Sequence, residues 1–120
     1  MATLTVEGAD LVVGLSWLER IGSVHGNVRI PLRAVRVAAP APDPWGDVRG
    51  IRLAGTGIPG VAAYGVRYSP GGGREFAAVH GRGPAVRVEL DRGASRFATL
   101  LVTVPDVDKT AAAICAAAGI

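Results

Sequence analysis

The chain has 120 residues with a net charge of +3, from thirteen Lys and Arg against ten Asp and Glu. That length suits one domain, 1–120, able to bury roughly two thirds of its unfolded surface, so neither metal nor disulfide staples are required. The lone cysteine, Cys115, excludes an internal disulfide and fits a reducing compartment.

No run approaches the roughly 18 consecutive apolar residues of a membrane span. The opening residues ATLTVEGADLVV alternate as a strand does and lack the basic-then-apolar pattern of a leader. The chain therefore reads as soluble and cytoplasmic. Its twelve arginines and single lysine, Lys109, are scattered rather than gathered in runs. That pattern speaks against a nucleic-acid binder, which concentrates charge on one face.

Residues 3–7 (TLTVE) and 11–15 (LVVGL) alternate and are joined by Gly8-Ala9-Asp10, which predicts a hairpin. Ser16 with Glu19 three positions later forms a capping-box pattern for a short helix through WLERIGS. Residues 27–39 (NVRIPLRAVRVAA) alternate twice. Val28, Ile30 and Leu32 share one parity, and Val35 and Val37 share the other, so a bulge or bend is expected across residues 31–34. Residues 40–47 (PAPDPWGD) carry turn chemistry.

GTGIPG at 55–60 reads as a loop entering a strand. A four-strand meander is expected next, at 61–68, 74–80, 85–91 and 96–104. In AVRVELD, Val86, Val88 and Leu90 point inward and Arg87, Glu89 and Asp91 outward. The tail changes period. Pro105 suits a first helical position and Asp106 and Asp108 suit the first turn. Val107, Ala111, Ile114 and Ala118 recur on one apolar face, and Gly119 ends the helix. The order is about seven short strands and then one helix that covers the open end of a folded-over sheet.

That order, together with particular residues, resembles the bacterial pleckstrin-homology (PH-like) domains. GTGIPGVAAYGVRY, REFAAVHG and AVRVEL resemble the central segment of that family through Gly55, Thr56, Ile58, Pro59, Gly60 and Gly65. VRIPLRAVRV is similar to its earlier strand pair, and VTVPDVDKTAAAI to its last strand and helix entry. The resemblance implies a PH-like barrel: mainly β, two near-orthogonal antiparallel sheets capped by a C-terminal helix. It implies a non-catalytic domain, sometimes oligomeric, and supplies no catalytic residues. Relatives that bind phosphoinositides use a lysine-rich cluster around the first hairpin. Here VEGADLVVGLS carries Glu7 and Asp10 and no base, a departure that counts against that activity.

The remaining chemistry points the same way. A Walker loop ends in Gly-Lys-Ser/Thr and opens a helix, whereas Gly60 is followed by Val61 and a strand. Cys115 with His25 or His80 is the sole route to a thiol nucleophile and base, and a helix C-terminal half is the wrong place for an activated thiol. Two histidines far apart make no zinc site. Asp106 and Asp108 lie on different sides of a helix. Glu89 and Asp91 share a solvated face with Arg87.

Arg29, Arg33 and Arg36 remain: if the break shifts parity, all three face outward as a stripe. It is either an anion-facing surface or ordinary solvated charge. Trp45, in its loop, either clamps the chain or anchors a partner, and Trp17 is read as core. The expected function is a protein-interaction module, self-associating through a sheet edge or its helix, with Arg29, Arg33, Arg36 and Trp45 as its candidate surface. The alternative is a peripheral binder of anionic lipid or a phosphorylated ligand through those arginines. No cofactor, nucleic acid or small-molecule substrate is expected.

Overall fold

The structure, a computed structural model, describes residues 3–14, 28–42, 51–58, 62–69, 73–81, 83–91, 93–95 and 97–120. The expected helix after Ser16, Trp17, His25 and Trp45 lie outside the described residues.

The first hairpin forms as its alternation requires. Thr3–Glu7 (β1) pairs antiparallel with Asp10–Gly14 (β2), Leu4 standing opposite Val13. Val28–Pro31 (β3) adds to β2, with Leu11 opposite Ile30 and Val13 opposite Val28. Period-two side-chain alternation turns Leu4, Leu11, Val13, Val28 and Ile30 to one buried face.

The break across residues 31–34 is a single turn of 3-10 helix, Leu32–Ala34. The Leu32 N–H donates to the Ala9 carbonyl at 2.9 Å and the Asp91 N–H to the Ala34 carbonyl at 2.8 Å. The turn is thus tied to the first hairpin on one side and to the second sheet on the other. It is where the chain leaves one sheet for the next.

Val35–Ala41 (β4) follows. Its register slips between Val35 and Val37, so a bulge does occur. The slip turns Val37 out to 44% exposure and brings Ala38 inward, so Val35 and Val37 do not share a face. The strand also runs through Pro40, which was read as loop. The proline is tolerated because β4 is an edge strand and Pro lacks only a donor.

Ile51–Ile58 (β5), Ala62–Ser69 (β6), Gly73–His80 (β7), Ala85–Leu90 (β8) and Thr99–Val102 (β9) complete a six-stranded sheet. Its order is β4-β8-β9-β7-β6-β5. Two expectations fail here. Gly55, Thr56, Gly57 and Ile58 are strand and not loop, with Gly55 opposite Gly65. The strands after β6 are no meander: β9 inserts between β7 and β8 and runs parallel to β7, so the sheets are not wholly antiparallel.

The insertion has a physical reason. Phe76, Ala77, Ala78 and Val79 in β7 and Leu100, Leu101 and Val102 in β9 are all buried. Consecutive apolar residues suit a strand covered on both faces, hence a central one. β8 alternates: Val86, Val88 and Leu90 are buried while Glu89 is exposed.

The described residues therefore form nine strands in two sheets, not about seven, and no strand pairing among them closes the sheets into a barrel. The core lies between the sheets, where Leu11, Val13 and Ile30 meet Phe76, Val88 and Leu100. Phe97 packs edge-to-face on Phe76, ring centres 5.7 Å apart. Ala41, Val79, Ala85 and Leu101 form a second, smaller cluster.

The chain ends in a helix, Val107–Ala118 (α1). Asp106, rather than Pro105, opens it: the Asp106 carboxylate accepts from the Lys109 N–H at 3.1 Å. Gly119 closes it in the left-handed conformation, φ 75°. Ala111 and Ile114 are buried, and Val107, Cys115 and Ala118 pack beside them against the core.

Candidate functional site

All three candidate arginines are exposed, as the parity shift predicts. They lie on three successive elements. Arg29 sits on β3 in the first sheet, Arg33 on the connecting turn, and Arg36 on β4 in the second sheet. Arg29 reaches across its sheet to two acids, Asp10 at 2.8 Å and Glu7 at 3.5 Å. The hydrogen bond to Asp10, with the charge of both acids, holds this guanidinium protonated above its ordinary range. Arg36 lies 3.5 Å from Asp91. Arg33 has no ion pair among the described residues. Exposed pairs of this kind add little stability, but they offset the positive field an anion would seek.

Asp91 sits at the end of β8, where the chain turns. Its carboxylate accepts from the Gly93 N–H at 2.9 Å. That bond first, and the nearby Arg36 second, hold its pKa below the ordinary carboxylate range.

Beside this pair runs a shallow groove of about 540 Å³, lined by Arg36, Val37, Arg87, Glu89, Leu90 and Thr99. Arg87 and Glu89 meet at 3.4 Å. The groove's charges are paired with opposite signs, Arg36 with Asp91 and Arg87 with Glu89.

Cys115 and His80 are not brought together. Cys115 is half-buried on α1 and its thiol donates to the Ala38 carbonyl on β4 at 3.3 Å. His80 is exposed at the end of β7, and β9 and β8 separate that strand from β4. The His80 backbone N–H donates to Thr103 Oγ1 at 3.1 Å. Among the described residues no cluster of His, Cys, Asp and Glu is arranged to hold a metal. No described helix is long and apolar enough to cross a membrane.

The terminal helix, named from the sequence as one route to self-association, has an outer face without charge. Ala112, Ala113, Ala116 and Ala117 are all exposed, and so is Ile120 beyond the end of the helix. A surface helix normally turns charge to water on the side away from the core. Here charge is confined to Asp106, Asp108 and Lys109 at the start, and the last turn has no basic residue. The signal was present in AAAICAAAGI, where nothing polar separates the buried positions from the outer ones. Comparisons with protein-family models, curated proteins and solved structures find no match.

Proposed function

We propose that the chain is a PH-like domain that recognises another protein and carries out no chemical step. Supporting the family reading are the quoted glycine-proline run, the broken strand VRIPLRAVRV, and a β-fold ending in one packed helix. The parallel pairing of β7 with β9 departs from the all-antiparallel arrangement that reading implies. The near-orthogonal barrel belongs to the same proposal.

One observation carries the recognition reading: the uncharged, exposed outer face of α1. A contiguous apolar surface on a soluble domain marks a place where another molecule sits. Small side chains let a partner's backbone come close, and their removal from water costs little conformational entropy. The ion pairs of Arg29 and Arg36 favour this over the anionic-lipid or phosphorylated-ligand reading. Co-sedimentation with anionic vesicles at low salt, where surface electrostatics is strongest, is expected to show no binding.

The test compares the intact chain with the variant A113E/A116E. Both positions are exposed, and the two glutamates near the C-terminal end of the helix should lower stability by about 1–2 kcal/mol, so folding of the variant is checked by urea denaturation. A pull-down from the native cytoplasm should retain a partner on the wild type that the variant loses. A partner set unchanged by the two substitutions contradicts the proposal.

A further inference from the structure

We infer that the outer edge of β5 pairs with β5 of a second copy of this chain, antiparallel and about a twofold axis at Thr56. This goes beyond the recognition reading and uses a different surface.

The six-stranded sheet ends at β4 on one side and at β5 on the other. An edge strand carries a row of backbone N–H and C=O groups without ladder partners, and natural proteins blunt it with proline, charge, a bulge or a cover. The β4 edge has several of these. Pro40 lies on it, the register slips near Val37, and α1 lies along it, with the Cys115 thiol bonded to the Ala38 carbonyl. β5 reads IRLAGTGI: no proline, and one charged residue, Arg52. Its own slip lies between Arg52 and Ala54, which leaves residues 54–58 in regular register with β6. Among the described residues no strand pairs with its outer side.

The same run selects the partner. A twofold perpendicular to the sheet matches like faces, so residues of equal parity must stand opposite one another. With the axis at Thr56, Ala54 stands opposite Ile58 and Gly55 opposite Gly57. Arg52, the one charge in the strand, then falls outside the paired stretch, and no like charges face each other. A second copy also brings a strand already extended. A flexible foreign peptide first gives up backbone entropy at every residue it orders.

Two variants read the register. Gly55→Lys/Gly57→Lys sets lysine against lysine twice across the twofold. Gly55→Glu/Gly57→Lys sets glutamate against lysine twice at the same positions. Light scattering over micromolar to millimolar concentration should give the wild type and the Glu/Lys variant a mass approaching twice the 12.2 kDa chain. The Lys/Lys variant should stay at the single-chain mass. A wild type that stays at single-chain mass throughout overturns the inference, and so does equal association by both folded variants.

Should the variants fail to fold, the wild type alone decides. Isotope-filtered NMR of mixed labelled and unlabelled copies should show intermolecular contacts between Ala54 and Ile58. Their absence from an associating sample overturns the pairing. A113E/A116E, which disables the outer face of α1, should associate as the wild type does, so failure of either proposal leaves the other standing.

Discussion

The two outer strands of the six-stranded sheet face the same physical problem and meet it differently. β4 is shielded by a helix, a thiol hydrogen bond, a proline and a register slip. β5 has its slip and little else in its sequence. The proline on β4 explains the local geometry. Pro40 has no N–H to give to β8, so its nitrogen lies on the free side. Ala38 has the same parity and turns its carbonyl the same way, where Cys115 takes it. The terminal helix is therefore a cover for one edge as well as a lid on the core. Among the described residues no strand or helix lies along the β5 edge, which is where the proposed pairing places the second copy.

Breaking the guarded side is expected to cost most. Ile114→Ala removes the fully buried anchor of α1. It should lower unfolding free energy by about 2–5 kcal/mol in urea denaturation, as buried Ile to Ala truncations do. It should also raise aggregation, because β4 loses its cover.

On the β5 side the sensitive position is Gly65. This buried residue of β6, opposite Gly55, has φ 128°, which side chains rarely adopt. Gly65→Ala should cost about 1–3 kcal/mol and lower the melting temperature accordingly.

Asp106→Ala removes the cap of α1 and should cost about 1 kcal/mol, read as a lower urea midpoint. Cys115→Ala withdraws the thiol from Ala38 and should cost less, about 0.5–1 kcal/mol. Its diagnostic is faster amide exchange at the α1 end and in β4, with β5 unchanged.

The smallest effect is electrostatic. Asp91 has a folded pKa below its unfolded value, so its contribution is complete above the unfolded pKa, about 3.9. It is lost as pH falls through the depressed folded value. Thermal melts should show a small acid-side loss below about pH 4 that Asp91→Asn removes.

Much of this was legible in the residues, and what was not has a cause. The β1–β2 hairpin, the change of parity in VRIPLRAVRV and the tail helix rest on local period and capping, which neighbours reinforce. The strand at GTGI was hidden because glycine signals turns; only pairing across to Gly65 reveals it as sheet. The place of β9 was hidden because strand order is non-local. LLV and FAAV did hold a clue: unbroken apolar runs belong in the middle of a sheet. The outward arginines were foreseen, but their acids come from distant parts of the chain. Glu7 and Asp10 meet Arg29 across the sheet, and Asp91 meets Arg36 from beyond β8. Trp45 lies outside the described residues.

Residue-resolved amide hydrogen exchange at several protein concentrations tests the unequal edges most directly. β4 amides that bond to β8 should exchange slowly at every concentration, and the outward-facing amides of β5 residues 54–58 should slow as concentration rises. Fast exchange of the β8-bonded amides of β4, or protection of the outward β5 amides that ignores concentration, contradicts it.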